Sequence, residues 1–158
     1  PLLRLDRPPW PRHADDRWIE VESLGQAAAL APDLGRRAFL TVGAGELEPF
    51  AGRSRMWFLV RLIDAPAAAL PLADYQVVLG RGPFAAADEQ RLLETHRIDL
   101  VIAKHSGGDA TYGKIAAARA LNLPVILLRR PAAPATGQAR EVAASVAEAI
   151  AWLETRLA

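Results

Sequence analysis

Between residues 75 and 128 the sequence follows one pattern: a short apolar run, a glycine-bearing loop and a longer amphipathic run. The apolar runs are rich in Val, Ile and Leu and lie at 75–79, 99–103 and 124–128, with amphipathic runs at 86–96 and 111–121. Short apolar runs are typical of buried strands, and the longer runs of helices. Two parallel strands need a crossover of about a dozen residues, which a helix supplies. The pattern therefore predicts right-handed crossovers and a mainly parallel sheet.

The preceding residues extend the same architecture. Strands are predicted at 18–21, 37–42 and 57–63, with a short helix at 46–50. Ser23 is placed to cap a helix from 24 to 30, and Pro32 is expected to end it. The run at 57–63 has little alternation of apolar and polar residues, which favours a strand covered on both faces. We expect an α/β fold, a Rossmann-like and mainly parallel sheet with helices on both faces.

Local composition divides the chain into three parts. Residues 1–17 are rich in Pro, Arg and Asp and are predicted to be an extended connector, followed by the α/β domain at 18–131. Residues 132–158 are predicted to be a linker and a last helix at 138–156, whose apolar side comprises Val142, Val146, Ile150 and Leu153. The first residue is Pro1 and Met56 is the sole methionine, so we expect further chain to precede this sequence or its start to be trimmed.

The composition also excludes several classes of site and partner. The absence of cysteine removes disulfides, zinc–thiolate sites, iron–sulfur clusters and thiol nucleophiles. The net charge is +1, whereas nucleic-acid binders usually carry a clear basic excess. No apolar run approaches the roughly 20 residues that span a bilayer, so we expect a cytoplasmic protein without membrane or nucleic-acid partners. The three histidines are isolated in the sequence, which argues against a metal site.

Three glycine-bearing loops follow predicted strands, at 41–45, 80–84 and 104–108. In an open parallel sheet such loops meet at the carboxyl edge, where ligands bind. The third loop has two adjacent glycines, Gly107 and Gly108, whose amides can form an anion nest. The same loop contains Lys104 and Ser106, and the next helix begins with Thr111, Tyr112 and Lys114. The alternative is a loop that only turns and caps that helix.

Two arginines are candidates for binding an anion. Arg61 interrupts an apolar strand, where a charge must find water or a partner. That partner is either Asp64 or Asp99 within the fold, or a carboxylate of a ligand. Arg81 lies in the loop at 80–84 and is either solvated or binds an anion, while the glycines of that loop could simply relieve a tight turn.

Several motifs, in the same order, resemble the precorrin-6A reductase family. They are FLTVG at 39–43, WFLVR at 57–61, GRGPF at 80–84, KHSGG at 104–108 and TYGK at 111–114, with RLDRPPW at 4–10 and RRP at 129–131. The resemblance covers nearly the whole stretch from residue 3 to residue 131. It departs at His105, where the family usually has Asn, although a histidine can still donate one hydrogen bond.

This resemblance implies a function. The family reduces one double bond of the precorrin-6A macrocycle with NADPH and gives precorrin-6B, in aerobic cobalamin synthesis. Its members resemble two Rossmann-like lobes with the cofactor and the tetrapyrrole in the cleft. This chain then corresponds to the C-terminal portion of the reductase. The N-terminal lobe, with its glycine-rich phosphate loop, is missing from it and would be its partner.

The resemblance also implies roles for particular residues. Substrate carboxylates are expected at Arg61 and Arg81, beside Gly82. Cofactor contacts are expected at Ser106, Gly107, Gly108, Thr111 and Lys114. Either Lys104 or Tyr112 would deliver the proton that accompanies hydride transfer. Two other interpretations are a non-catalytic module that binds an anionic ligand and, from the loop glycines alone, a glycosyl-transfer or nucleotide-sugar enzyme.

Overall fold

The computed structural model describes residues 2–130 and 141–157, and these contain eight strands and four helices. The strands are β1 (Leu3–Leu5), β2 (Trp18–Val21), β3 (Arg37–Thr41), β4 (Trp57–Leu62), β5 (Tyr75–Leu79), β6 (Leu100–Lys104), β7 (Val125–Leu128) and β8 (Glu141–Ala143). The helices are α1 (Leu24–Leu34), α2 (Ala86–Thr95), α3 (Gly113–Ala120) and α4 (Val146–Leu157). Within the described ranges, no helix has the length and apolar character needed to cross a bilayer.

Six strands form one sheet in which all neighbours are parallel, in the order β2-β7-β6-β3-β4-β5. The chain reaches the middle of the sheet at β3, continues outward through β4 and β5, and then returns to β6 on the other side of β3. The strand order therefore reverses between β3 and β6, which is where open α/β sheets bind ligands. The predicted fold class and parallel sheet are confirmed.

Both faces of the sheet are covered, as predicted. Helix α1 and the 3₁₀ turn Glu48–Phe50 pack on one face, and α2 and α3 pack on the other. That turn, together with Ala44–Glu46, replaces the short helix predicted at 46–50. In β3, Leu40 packs into the first core and Phe39 into the second, and both are fully buried. Burial on both faces explains why the strands are continuous apolar runs.

Helix α1 begins as predicted but ends later. The Gln26 amide donates to the Ser23 hydroxyl at 3.1 Å, which is the expected cap. The expectation that Pro32 ends the helix is wrong, because α1 continues two residues beyond it. A proline in the last turn removes only one intrahelical hydrogen bond. The Gly35 amide then closes the helix by donating to the Ala31 carbonyl at 3.1 Å.

The two ends of the described chain form a second, small sheet that the sequence pattern did not predict. Strands β1 and β8 pair in parallel, so the predicted connector at 1–17 contains a strand. The last helix begins at Val146 rather than at 138, because residues 141–143 form β8 and the Glu148 amide donates to the Ser145 hydroxyl at 3.2 Å. The predicted linker at 132–137, together with residues 131 and 138–140, lies outside the described residues.

The apolar side of α4 is exposed. Val146, Ile150 and Leu153 follow helical spacing and retain 64%, 50% and 49% of their accessible surface. Val142, predicted to belong to the same side of a helix, lies instead on β8 and retains 54%. Contiguous apolar surface of this kind is typical of an interface.

Asp99 joins the amino ends of β3 and β6. Its carboxylate accepts the Arg36 amide at 3.0 Å and the Arg37 amide at 2.8 Å. Gly35 leaves the space for this carboxylate, since a Cβ at Gly35 would overlap Asp99 Oδ1. Asp99 therefore fixes the pairing of the two strands that flank the reversal point, and it is not the partner of Arg61.

We predict that Asp99→Ala lowers the free energy of unfolding by about 1–3 kcal/mol, because one exposed and one half-buried backbone amide lose a charged acceptor. Urea unfolding monitored by tryptophan fluorescence measures this loss. Asp74→Ala, at an exposed aspartate, is the matched control and should change stability by less than about 0.5 kcal/mol. Equal stability of the two variants would contradict the role given to Asp99.

Candidate functional site

A cavity of about 590 Å³ opens at the carboxyl edge of the sheet, beside the reversal point. The loops after β3, β4, β5 and β6 all contribute to its wall, so the three glycine-bearing loops meet as predicted. The lining residues are Arg7, Thr41, Val42, Gly43, Ala44, Arg61, Leu62, Ile63, Asp64, Ala65, Pro66, Gly80, Gly82, Phe84, Lys104, Ser106, Thr111 and Lys114. Most of these surfaces are apolar, and the charged groups are set into them.

Arg61 and Glu89 form a buried ion pair in the cavity wall. Two parallel hydrogen bonds of 2.8 and 2.6 Å join the guanidinium to the carboxylate, and the side chains are 10% and 3% exposed. The guanidinium also lies 4.0 Å from the centre of the Phe84 ring. The prediction that Asp64 or Asp99 is the internal partner of Arg61 is therefore wrong. Glu89 lies four residues before the buried Leu93 on α2, and this helical spacing could have indicated that Glu89 lies on the buried face of the helix.

Lys114 is the other buried cation of the wall. Its side chain lies in the first turn of α3, and the residue is 6% exposed. The ammonium donates to the Thr111 carbonyl at 2.6 Å and lies 5.2 Å from the centre of the Trp10 ring. Burial lowers the pKa of Lys114 to about 8; Glu89 opposes this effect and Arg61 adds to it. Both oxygens of Glu89 are bonded to Arg61, and no carboxylate in the described residues forms a salt bridge with Lys114.

Lys104 connects the loops on the two sides of the reversal point. Its ammonium contacts both carboxylate oxygens of Glu46, at 2.5 and 2.6 Å, and Glu46 also accepts the Gly43 amide at 3.0 Å. The hydrogen bond from Lys104 lowers the pKa of Glu46 below its usual value. Lys104 is half-exposed and separates the first cavity from a second one of about 620 Å³, at the ends of β2, β6 and β7.

The charged groups of the second cavity are largely paired with one another. Arg129 binds Glu20 and Glu22, and Arg130 donates to the carbonyls of Arg7, His105 and Ser106. Its wall is formed by Leu5, Asp6, Arg7, Glu22, Glu46, Lys104, His105, Ser106, Leu128, Arg129 and Arg130. Arg129 thus has carboxylate partners and Arg130 has backbone acceptors, and this wall is more polar than that of the first cavity, which therefore offers the better site for an anion with an apolar body.

The structure does not bring every predicted residue to the first cavity. The Tyr112 hydroxyl is bonded to Arg119, which pairs with Asp16 at 2.8 Å, and Tyr112 is not part of the wall. Arg81 is exposed and also lies outside the wall, whereas its neighbour Gly82 belongs to it. Of the two predicted proton donors, Lys104 alone faces the cavity.

The loop at 104–108 uses its glycines for internal packing. Gly107 and Gly108 have φ angles of +65° and +69°, which favour glycine. The Gly108 amide donates to the Pro8 carbonyl at 3.1 Å, and a Cβ at Gly107 would overlap Pro8 and Arg130. The predicted anion nest is therefore occupied in part by the chain itself. The hydroxyls of Ser106 and Thr111 remain in the wall, bonded to each other at 2.9 Å.

His105 packs among aromatic side chains. Its ring stacks on Trp10 at 5.2 Å and meets the edge of Trp18 at 6.0 Å, and its buried Nδ1 has no hydrogen-bond partner within the described residues. In the part of the chain that the structure describes, no group of three or more His, Asp or Glu side chains could hold a metal ion.

We predict that Lys114→Met stabilises the chain at neutral pH. In the unfolded chain the Lys114 ammonium holds its proton more tightly than in the folded chain, with a pKa of about 10.4. Below pH 8 the folded state therefore bears the full cost of the buried charge, about 3 kcal/mol, and this cost disappears as the pH rises to about 10. The variant also loses the hydrogen bond to Thr111, so we expect a net increase of about 2 kcal/mol in the free energy of unfolding at pH 7.

Urea unfolding at pH 7, 9 and 10 measures the effect, and the advantage of Lys114→Met should shrink with pH. Lys104→Met is the control, because it removes a paired ammonium and should bring no stabilisation. If Lys114→Met is less stable than the parent at pH 7, or if its added stability does not depend on pH, the buried ammonium does not have the expected cost.

Comparison with known proteins gives one consistent result. The family described as "Precorrin-6x reductase CbiJ/CobK" matches residues 1–154. A precorrin-6A reductase from Rhodococcus erythropolis is 46% identical over 155 residues, which are 98% of this chain and 61% of that protein. A precorrin-6A reductase from Rhodobacter capsulatus is 40% identical over 152 residues, which are 96% of this chain and 59% of that protein.

The fold of a solved relative agrees with the sequence comparison. The structure of "CobK precorrin-6A reductase" superposes with a TM-score of 0.88 at 39% identity and covers 98% of this chain and 60% of that one. The chain thus spans about three fifths of the length of the relatives it matches. On the family match over nearly its whole length, this chain belongs to the precorrin-6x reductase CbiJ/CobK family.

Proposed function

We propose that this chain is part of an enzyme that reduces precorrin-6A to precorrin-6B with NADPH, in cobalamin biosynthesis. The observation that carries the proposal is the match of 96–98% of the chain to precorrin-6A reductases at 40–46% identity. The cavity supports it, because an apolar wall containing several cations suits a macrocycle that carries acetate and propionate side chains.

We assign the substrate to the first cavity. Apolar residues such as Leu62 and Phe84 would cover the ring and exclude water, and Gly82 leaves room beside them. The Arg61 guanidinium lies in the same wall, where Glu89 already pairs with it. Of the residues predicted for the cofactor, Ser106, Thr111 and Lys114 line this cavity and would contact whichever ligand it holds. Arg81, Tyr112, Gly107 and Gly108 do not line it and are left out of the assignment.

Lys104 would deliver the proton. When bound, NADPH supplies the hydride, which goes to an electrophilic ring carbon, and a proton is added at the neighbouring carbon. The Lys104 ammonium lies in the cavity wall, and Glu46 holds it in place. Because the side chain is 43% exposed, solvent can restore the proton after each turnover.

The described residues do not form a phosphate cradle for the cofactor. The Gly43 amide is bonded to Glu46, and the Gly108 amide is bonded to Pro8. We therefore propose that the phosphates of NADPH bind to the N-terminal lobe, in the two fifths of the relatives that this chain does not match. The division into a connector, a Rossmann-like domain and a C-terminal segment is part of the same proposal.

We further propose that the small sheet and α4 dock against that N-terminal lobe. Leu5, Val142, Val146, Ile150 and Leu153 are all about half exposed. A sheet of only two strands is at best marginally stable in water. A partner that covers β1, β8 and α4 would bury this apolar surface and extend the sheet.

A second candidate function is a non-catalytic module that binds an anionic ligand. The occupied amides of Gly43 and Gly108 favour it, because no cofactor phosphate has a cradle in the described residues. The module would bind the precorrin and leave it unchanged.

The assay that decides between them uses the full-length gene product, whose length is checked by intact mass, with precorrin-6A and NADPH. We predict oxidation of NADPH only when precorrin-6A is present. Lys104→Gln should lower kcat by about 100-fold with little change in KM, because it removes a proton donor. Arg91→Gln, on an exposed arginine of α2, is the control. Binding of precorrin-6A without oxidation of NADPH would establish the module and refute the reductase.

The docking proposal predicts that Ile150→Glu destabilises the full-length protein by about 1–3 kcal/mol, because a charge is forced into an apolar interface. Thermal unfolding of the full-length protein measures the loss. Glu154→Gln changes a polar exposed residue of the same helix and should have no effect. If both variants unfold at the same temperature as the parent, α4 is not an interface.

A further inference from the structure

We infer that Lys114 is the counter-ion for one carboxylate of a ligand in the first cavity. This carboxylate subsite deepens the proposed function, on which the identification of the ligand as a precorrin rests. It assigns Lys114 to the substrate rather than to the cofactor.

The charges that face the first cavity are not all paired within the described residues. Arg7, Arg61, Lys104 and Lys114 line it together with one acid, Asp64. Arg7 and Asp64 are exposed, and water screens them. Lys104 is paired with Glu46 and Arg61 with Glu89. Lys114 is therefore the buried cation of this wall that has no carboxylate partner in the described residues.

Glu89 compensates the charge of Lys114 only in part, because Arg61 shares it. It faces Lys114 from α2, but two short hydrogen bonds to Arg61 engage both of its oxygens. Arg61, which faces Lys114 from β4, offsets part of the attraction of Glu89. A buried charge without a partner is unfavourable, and a negatively charged ligand would remove that cost.

The donors of the site match a carboxylate. The Lys114 ammonium has three N–H groups, and the Thr111 carbonyl accepts one of them. The hydroxyls of Ser106 and Thr111 share one proton in their mutual bond, which leaves a second O–H to donate. An ammonium and a hydroxyl in the same wall can serve the two oxygens of a carboxylate.

The surroundings favour an organic acid over a phosphate. Val42, Leu62, Pro66 and Phe84 present apolar surface around the charged groups. Phosphate sites usually rely on several free backbone amides, and those of Gly43 and Gly108 are occupied. The ligand class is therefore a carboxylate carried on an apolar body.

The test uses the full-length protein labelled with ¹³C at lysine Cε and, as the probe, uroporphyrin, a tetrapyrrole with acetate and propionate side chains. This chain contributes only two lysine signals, and Lys114→Gln identifies the signal of Lys114. We expect saturating uroporphyrin to raise the pKa of Lys114 from about 8 by about one pH unit or more, since a carboxylate stabilises the charged form.

Lys114→Gln should weaken uroporphyrin binding about tenfold or more, and it should raise KM for precorrin-6A more than it lowers kcat. Arg91→Gln removes one exposed positive charge and should bind like the parent. No binding by the parent, equal affinity of the Lys114 variant, or an unchanged pKa would each overturn the subsite. Lys114-dependent binding without reduction of precorrin-6A would retain the subsite and refute the proposed function. If Lys114→Gln leaves KM and kcat for the reduction of precorrin-6A unchanged, the subsite is refuted and the proposed function is retained.

Discussion

The ion pair between Arg61 and Glu89 determines the chemistry of this edge of the sheet. Arg61 sits on a strand that is covered on both faces, so its charge needs a buried partner. Glu89 supplies that partner from α2, and both of its oxygens are used in doing so. The same pair joins β4 to α2 and places the guanidinium against Phe84, in the loop after β5. Lys114 is then left without a carboxylate, beside a cavity that is otherwise largely apolar.

The fold explains why these groups meet. Strands β3 and β6 are neighbours in the sheet although they are separated by two strands in the chain, so their following loops diverge and leave a crevice. Asp99 fixes their pairing at the amino ends. At the carboxyl ends, Lys104 and Glu46 bridge the two loops across the crevice. The rigid scaffold and the charged edge therefore depend on the same two strands.

Much of this architecture can be predicted from the sequence, because strands buried on both faces leave long apolar runs and parallel strands need helical crossovers. The meeting of the three loops follows from the same topology. The partner of Arg61 was not predicted, since Glu89 is 28 residues away in the chain and only its helical spacing from Leu93 distinguishes it from the other acids of α2. Gly107 and Gly108 suggested an anion nest, but their conformation serves the packing of Pro8 and Arg130. Strand β1 was missed because it is three residues long and pairs with β8, about 140 positions away.

Arg61 engages both oxygens of Glu89 and so leaves Lys114 without a carboxylate partner of its own, as a cation for the ligand of the cavity. The most direct measurement is the pKa of Lys114, by NMR of ¹³C-labelled lysine, in the parent and in an Arg61→Met variant whose spectrum shows that it is folded. Removing Arg61 takes away a like charge and frees the Glu89 carboxylate, so the pKa should rise from about 8 toward the usual value of about 10.4. A pKa that stays at about 8, or falls, would contradict the account.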